Sequence, residues 1–195
     1  MESKNTNCTQ NPSPALVELI AAVRQLVRAE PDPARAGPAV AELLKPYLHR
    51  PDFLTPRQME PDECAYCRHL LHVEPDGSFS IVALVWLPGQ ETAVHDHVSW
   101  CVVGVHRGEE DEITYRLAGN ESDPHLLVHE HTLYPPGTVA ALVPPGDIHK
   151  VKNSGHEVAV SLHIYGADVQ KLGSSILRCY EHQVRAEPAP VPQLA

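Results

Sequence analysis

The sequence predicts a mainly β domain, an antiparallel β-sandwich or barrel with helices before it. Its 195 residues are enough for one domain with a sizeable core. From Pro14 to about His49, apolar residues recur three and four positions apart, which indicates two or three helices. From Tyr66 to Tyr165, short β-rich runs alternate with turns that contain proline and glycine, which indicates antiparallel strands.

The order of these patterns divides the chain into a single domain, 13–185, with a tail at each end. The predicted segments are a disordered tail (1–12), helices (13–60), a β-barrel (61–166), a C-terminal segment (167–185) and a Pro-rich tail (186–195). The C-terminal segment has the apolar pattern of a helix that Gly173 interrupts.

Composition excludes several functional classes. With 43% hydrophobic and 21% charged residues, the chain has no apolar run near the roughly 20 residues of a membrane span. A formal net charge of −10 disfavours nucleic acid and anionic membrane surfaces as partners. The opening segment has no apolar stretch typical of a secretory signal. We therefore expect a cytoplasmic protein, a monomer or weak homo-oligomer, that acts on a small molecule.

Five cysteines at irregular spacing do not suggest a disulfide scaffold. Cys64 and Cys67 form a single CxxC without a second CxxC or a matching histidine pair. We expect reduced thiols rather than a zinc or redox site there.

Three histidines have the spacing of a metal site. His95 and His97 lie two apart on an extended segment, so their side chains point to the same face. His149 follows a Pro/Gly turn, from which an adjacent strand can bring it to the same point. Three neutral imidazoles leave coordination positions open, as in catalytic metal sites.

A second His-x-His segment serves as a comparison. His129 and His131 lack a glycine frame and a downstream partner, and we expect them on a solvated strand or loop. Glu109 and Glu110 flank Gly108, and we expect both carboxylates to face solvent.

Two further strands carry aligned polar side chains. Tyr66 and Arg68 share a face, and an arginine there can hold a carboxylate through two hydrogen bonds. Ser161, His163 and Tyr165 share a face of the last strand of the barrel. In a small barrel, such a face either lines a polar cavity or meets water.

The histidine segments resemble the paired motifs of the cupin superfamily, a double-stranded β-helix or jelly-roll barrel. The first motif is matched by Gly89, His95, His97 and Gly108. The second motif is matched by Pro144, Gly146, His149 and Asn153. Cys101 stands where the first motif carries glutamate, and that replacement is similar to the cysteine dioxygenase family. Gly137, one residue early, is the departure in the second motif.

The resemblance to cysteine dioxygenases implies iron(II), held by the three histidines, and a reaction that adds both atoms of O2 to the thiol of L-cysteine. It implies that the face of Ser161, His163 and Tyr165 lines the cavity, with the tyrosine hydroxyl near the iron. It also implies that Arg68, with Tyr66, binds the substrate carboxylate; related mercaptopropionate dioxygenases tend to carry glutamine at the arginine position.

In part of that family, the tyrosine is linked by a thioether to a cysteine at the position of Cys101. Here the interval between His97 and Cys101 is one residue shorter than in the animal enzymes. A Cys101–Tyr165 thioether and a small buried thiol are therefore the two alternatives.

Three other functions remain open from the sequence. The first is a dioxygenase of another small thiol acid, such as 3-mercaptopropionate. The second is a cupin isomerase or hydrolase that uses a different metal. The third is a non-catalytic barrel that binds a small molecule.

Overall fold

The computed structural model describes residues 4–7 and 12–185. The helical elements are α1 Pro14–Ala29, α2 Pro33–Leu48, a 3-10 helix Pro56–Met59 and α3 Val169–Leu172. The first sheet contains, in order across it, β1 Lys4–Asn7, β2 Cys67–Val73, β3 Ser80–Trp86, β10 Ala159–Tyr165, β5 Cys101–Arg107 and β8 Val139–Leu142. The second contains β11 Ile176–Cys179, β4 His95–His97, β9 His149–Lys152, β6 Glu110–Ala118, β7 His125–Tyr134 and β12 Val184–Arg185. The predicted class, a mainly β cupin-type barrel with N-terminal helices, is confirmed.

Each of the two N-terminal helices begins at a proline that directly follows a capping residue. The Ser13 hydroxyl accepts from the Leu16 amide at 3.1 Å, and the Asp32 carboxylate accepts from the Ala34 amide at 3.0 Å. A proline follows each cap, where its missing N–H costs no hydrogen bond. The apolar stripe of each helix is buried against the first sheet. No helix in the described part of the chain is both long and apolar enough to span a membrane.

The first sheet is covered on both faces, so its central strands β3 and β10 are buried along their whole length. Val160, Leu162 and Ile164 pack with the helices in the larger core. The alternate residues of β10 face the second sheet instead, because successive side chains of a strand point to opposite faces. This alternation brings Ser161, His163 and Tyr165 into the barrel interior.

Two predicted segments differ from the structure. Within the predicted disordered tail, Lys4–Asn7 forms strand β1, parallel to β2. An open sheet edge offers unpaired backbone groups to any extended segment, and this pairing needs no apolar pattern. The interrupted helix predicted near the C-terminus ends at Gly173, which has a φ of +78°, and the chain then pairs β11 with β4. The Pro-rich tail 186–195 lies outside the described residues.

Candidate metal centre and active site

Three histidines meet inside the barrel because two strands of the second sheet are neighbours. β4 and β9 are antiparallel, and His95 lies directly opposite His149. His97 follows two residues along β4, on the same face. One ligating nitrogen from each of the three rings lies within 4.8 Å of the others. All three side chains are at most 5% exposed.

The outer nitrogen of each ring has a hydrogen-bond acceptor. His95 Nδ1 donates to the Ala93 carbonyl at 3.0 Å, and His97 Nδ1 donates to Asp147 Oδ2 at 2.9 Å. His149 Nδ1 lies 2.5 Å from Glu112 Oε1. In the neutral form of each ring, these contacts place the hydrogen on Nδ1, so Nε2 carries the lone pair.

The inner nitrogens fit a metal ion. His95 Nε2 and His149 Nε2 are 3.2 Å apart, and with both lone pairs facing each other this contact is repulsive unless a cation lies between them. Two metal–nitrogen bonds of about 2.1 Å at a right angle would separate the nitrogens by roughly 3 Å. Imidazole nitrogen suits iron(II), the metal implied by the resemblance, as well as zinc, copper and nickel.

The site also favours the neutral rings that metal binding requires. Burial lowers the pKa of His95 to about 3, and the neighbouring His149 and His97 act in the same direction. Burial likewise lowers the pKa of His97. Neutral imidazoles keep their lone pairs available near neutral pH.

Two acidic residues that orient these rings were missed from the sequence. Asp147 lies between the turn glycine and His149, and Glu112 is the second inward-facing residue of β6. Burial raises the pKa of Asp147, but hydrogen bonds from His97 outweigh it and hold the pKa below its usual value. The sequence offers one weak signal, the position of Asp147 two residues before His149; Glu112 lies on a strand without a metal ligand and carries no such signal.

A further acid fixes strand β4 itself. Asp96, between the two histidines, is 3% exposed. Its Oδ2 accepts from Arg178 Nε at 2.9 Å and from the Tyr180 hydroxyl at 2.8 Å. Because both donors belong to the segment around β11, this contact holds that segment against the metal-binding strand.

The histidines face a small cavity of about 30 Å³, more than the roughly 10–15 Å³ that one buried water requires. The residues that line it are Tyr66, Arg68, Leu84, Trp86, Thr92, His95, His97, His149, Val151, His163, Tyr165, Ser175 and Ile176.

 

Seven of the nine predicted site residues line this cavity. Ser161 and Cys101 lie one layer behind the wall, where both are fully buried. Ser161 contacts His163, and Cys101 is the cross-strand partner of Tyr165, so both lie next to a residue of the wall.

Arg68 and Tyr66 reach the cavity from the first sheet. Arg68 is half-buried, and the Tyr66 ring stacks on Trp86 with ring centroids 4.4 Å apart. The positive charge of Arg68 is felt at the far wall, where it is among the minor influences on the pKa of Tyr165. An anionic group in the cavity would therefore meet a placed cation in an otherwise acidic protein.

Ser161, His163 and Tyr165 form a hydrogen-bonded row along β10. Ser161 Oγ lies 3.0 Å from His163 Nε2, and the Tyr165 hydroxyl lies 3.3 Å from His163 Nδ1. Burial lowers the pKa of His163 well below its usual value and raises the pKa of Tyr165. The imidazole is thus neutral and the phenol keeps its proton near neutral pH.

Cys101 lies beside Tyr165. The two residues are direct partners in the register of β5 and β10, and the Cys101 Sγ is 3.9 Å from His163 Nδ1. Burial raises the pKa of the Cys101 thiol. A buried thiol of this kind is protonated at neutral pH.

Glu110 was predicted to face solvent, and this prediction is wrong. Its side chain lies in the barrel interior, 1% exposed, because Gly108 turns the chain so that β6 begins with Glu110 on the inward face. Gly108 has a φ of +69°, and a Cβ there would lie 2.7 Å from the Ala159 Cα. Only glycine permits this close turn.

The second His-x-His segment is exposed, as predicted. His129 and His131 lie on the exposed part of β7. Cys64 is exposed, and Cys67 is buried in the apolar core.

Comparison with known proteins agrees with the site. The family model of cysteine dioxygenase type I matches residues 3–173. Cysteine dioxygenase type 1 of Rattus norvegicus is 30% identical over 106 residues, which is 53% of this chain and 52% of that protein. The Danio rerio protein of the same name is 27% identical over 111 residues, 56% of this chain and 55% of that protein. The matched part thus spans about half the length of these curated relatives.

The solved structures that are similar to this chain include a Klebsiella pneumoniae protein with a double-stranded β-helix domain. It is 22% identical with a TM-score of 0.45, and the match covers 62% of this chain and 92% of that one. A cupin protein from Desulfovibrio desulfuricans is 21% identical with a TM-score of 0.43 and covers 60% of this chain and 98% of that one. The family match, by contrast, extends over both N-terminal helices and strands β1 to β10. The chain therefore belongs to the cysteine dioxygenase type I family.

Proposed function

We propose that this protein is an iron(II)-dependent thiol dioxygenase that converts L-cysteine and O2 to cysteine sulfinic acid. The observation that carries the proposal is the convergence of three imidazoles on a small cavity that also contains Arg68 and Tyr165. His95, His97 and His149 would hold the metal. When bound, iron(II) supplies the redox chemistry that lets O2 react with a thiol and brings the two reactants together.

Arg68 would select a substrate with a carboxylate. Its guanidinium can make two parallel charge-assisted hydrogen bonds, and the cavity is partly closed to water. Tyr66 is held against Trp86 and lines the same wall, so its hydroxyl can add a third contact. The small size of the cavity favours a small thiol acid such as cysteine.

Tyr165 would hold a proton next to the reacting sulfur. Its hydroxyl is buried at the cavity wall and hydrogen-bonded to His163, and its raised pKa keeps it protonated. A positioned phenol can donate a hydrogen bond to oxygen or sulfur of the substrate.

Cys101 and Tyr165 would be joined by a thioether, since they are cross-strand partners with Cβ atoms expected about 5 Å apart. Formation of this bond removes two hydrogen atoms, which O2 would accept. Mass spectrometry of the joined peptides should show that loss. Two separate, intact peptides after turnover would mean that Cys101 remains a buried thiol.

The activity is tested by oxygen uptake of the iron-loaded protein with L-cysteine or 3-mercaptopropionate, each followed by analysis for the sulfinate. We expect uptake and sulfinate with cysteine, at a higher kcat/KM than with 3-mercaptopropionate. A preference for 3-mercaptopropionate would contradict the proposed substrate. Absence of uptake with both thiols, despite bound iron, would contradict a thiol dioxygenase.

A further inference from the structure

A buried carboxyl lies behind the active site and has no part in the proposed reaction so far. Glu110 is 1% exposed, and its Oε1 has no hydrogen-bond partner among the described residues. Burial raises its pKa to about 7, hydrogen bonding from Ser161 opposes that shift, and the nearby Glu112 adds to it. A buried carboxyl without full hydrogen bonding is costly, so its retention in the barrel calls for a role.

The carboxyl is the end of a continuous row of polar groups. Ser161 interacts with Glu110 and lies 3.0 Å from His163 Nε2. His163 Nδ1 in turn lies 3.3 Å from the Tyr165 hydroxyl, which lines the cavity. Trp86 Nε1 donates to Ser161 Oγ at 3.3 Å and fixes the hydroxyl in place. The row thus connects the buried carboxyl to the cavity through two intermediate side chains.

We propose that Glu110 is a positioning residue that accepts a proton from the active site and thereby sets the direction of the hydrogen bonds through Ser161 and His163 to Tyr165. The proposal rests on the proposed function for the source of that proton, the thiol of the substrate.

The hydrogen-bond rules define two states that differ by one proton. When Glu110 is ionised, Ser161 donates to it, His163 donates to Ser161 from Nε2, and Tyr165 donates to His163 Nδ1. When Glu110 is protonated, it donates to Ser161, Ser161 donates to His163 Nε2, and His163 donates to Tyr165 from Nδ1. Only in the second state is the Tyr165 hydrogen free to point into the cavity.

A proton that enters at Tyr165 converts the first state into the second. The Tyr165 hydrogen passes to His163 Nδ1, the Nε2 hydrogen passes to Ser161, and the Ser161 hydrogen passes to Glu110. Tyr165, His163 and Ser161 each gain one hydrogen and give one up, and Glu110 keeps the one it gains. Ionisation of the substrate thiol would supply the proton, and the Tyr165 hydroxyl would then be turned toward the substrate.

Within the described part of the chain, few other ionisable groups face Glu110. On its own strand, Glu112 lies two residues further along the same face. On β7, Tyr134 is opposite Glu110 in register, and its hydroxyl donates to Glu112 at 3.1 Å. The two lysines of β9 alternate with the inward-facing Val151 and lie on the other face of the sheet. His163, reached through Ser161, is the ionisable group of β10 in the row.

The test follows the tautomer of His163 by nitrogen NMR of the full-length, histidine-labelled protein loaded with zinc, which is diamagnetic. A His163→Asn variant assigns the signal. We expect the ring hydrogen to move from Nδ1 to Nε2 as the pH rises through the neutral range, near the pKa of about 7. In Glu110→Gln, which keeps the shape but does not ionise, the movement is lost. In the control Glu109→Gln, which removes a half-buried charge from the same turn, the pH-dependent movement of the ring hydrogen remains.

If Glu110→Gln does not fold, Ser161→Ala provides the second variant, because it interrupts the row and leaves Glu110 in place; the pH-dependent movement is lost there too. A His163 tautomer that stays the same across the pH range in the parent, or that still switches in either variant, overturns the proposal.

This measurement needs no substrate, so it is independent of the proposed activity. Oxygen uptake with cysteine is measured on the parent in parallel. A parent that shows the tautomer switch and oxidises no thiol contradicts the proposed function alone. A parent that oxidises cysteine without the switch contradicts the role of Glu110 alone.

Discussion

Two His-x-His segments lie on strands of the same sheet and have opposite surroundings. In β4, His95 and His97 are at most 5% exposed, and each Nδ1 has an acceptor that leaves Nε2 facing the cavity. In β7, His129 and His131 are exposed, and the ring of His131 pairs with Asp111 through Nε2. Among the residues that the structure describes, the β7 pair belongs to no group of three ligand side chains.

The comparison shows that spacing alone does not make a metal site. Both segments place two imidazoles on one strand face, as alternation requires. What distinguishes β4 is a third histidine opposite it in register and acids that fix the outer ring nitrogens. The partners of the rings, rather than the pair itself, determine which segment can hold an ion.

The largest difference between the segments should appear on removal of one imidazole. His95→Ala is expected to abolish stoichiometric iron binding and oxygen uptake, because only two ligands remain. The matched change in the exposed segment, His131→Ala, should leave iron content and activity unchanged. Elemental analysis measures the iron content of both variants. A full complement of iron in His95→Ala would contradict the distinction drawn between the two segments.

Removal of an acid that accepts a hydrogen bond from a histidine of the site should have the next largest effect, a loss of metal affinity. Glu112→Ala removes the acceptor of His149 Nδ1, and we expect metal affinity to fall by about 10–100-fold. Asp111→Ala, one residue before it on the outward face, is the control and should leave metal affinity unchanged. Competition with a chelator measures the affinities. Equal losses in the two variants would show that Glu112 acts only through the strand.

Replacement of Arg68 should weaken substrate binding and leave the metal content unchanged. Arg68→Ala removes charge-assisted hydrogen bonds worth about 1.5–3 kcal/mol. We therefore expect the KM for cysteine to rise by about 10–100-fold, with a smaller change in kcat and full metal content. The exposed Arg107→Ala is the control. An unchanged KM in Arg68→Ala would place the carboxylate site elsewhere.

The smallest effect is expected for the ion pair of the exposed segment. A double-mutant cycle of Asp111→Ala and His131→Ala should give a coupling of about 0–1 kcal/mol in the free energy of unfolding, because solvent screens a pair at the surface. Denaturant unfolding measures it. A coupling above about 2 kcal/mol would mean that this segment is more than a solvated strand.

Much of the fold was predictable because its signals are local. The helical spacing of Leu16, Leu19 and Val23 and the Pro/Gly turns between β runs both reflect the period of the element that forms. The three histidines were predictable because the two motifs fix them on neighbouring strands. Strand β1 was not predictable from the sequence, because its pairing depends on an open sheet edge and not on its own residues.

The surroundings of the site were less predictable. Glu110 was expected in solvent, because a charged residue beside a turn is usually exposed, yet the first residue of β6 faces inward. Asp147 and Glu112 carry no local pattern that separates them from surface acids. Which acid reaches a ring nitrogen depends on the register of strands that lie far apart in sequence.

The most direct test of the metal assignment is an anomalous difference map, measured at the iron edge, from crystals of the iron(II)-loaded protein. We predict one strong peak within bonding distance of His95, His97 and His149 Nε2, and none beside His129 and His131. A peak at the exposed pair, or a protein that binds iron without a peak between the three buried rings, would contradict the metal assignment.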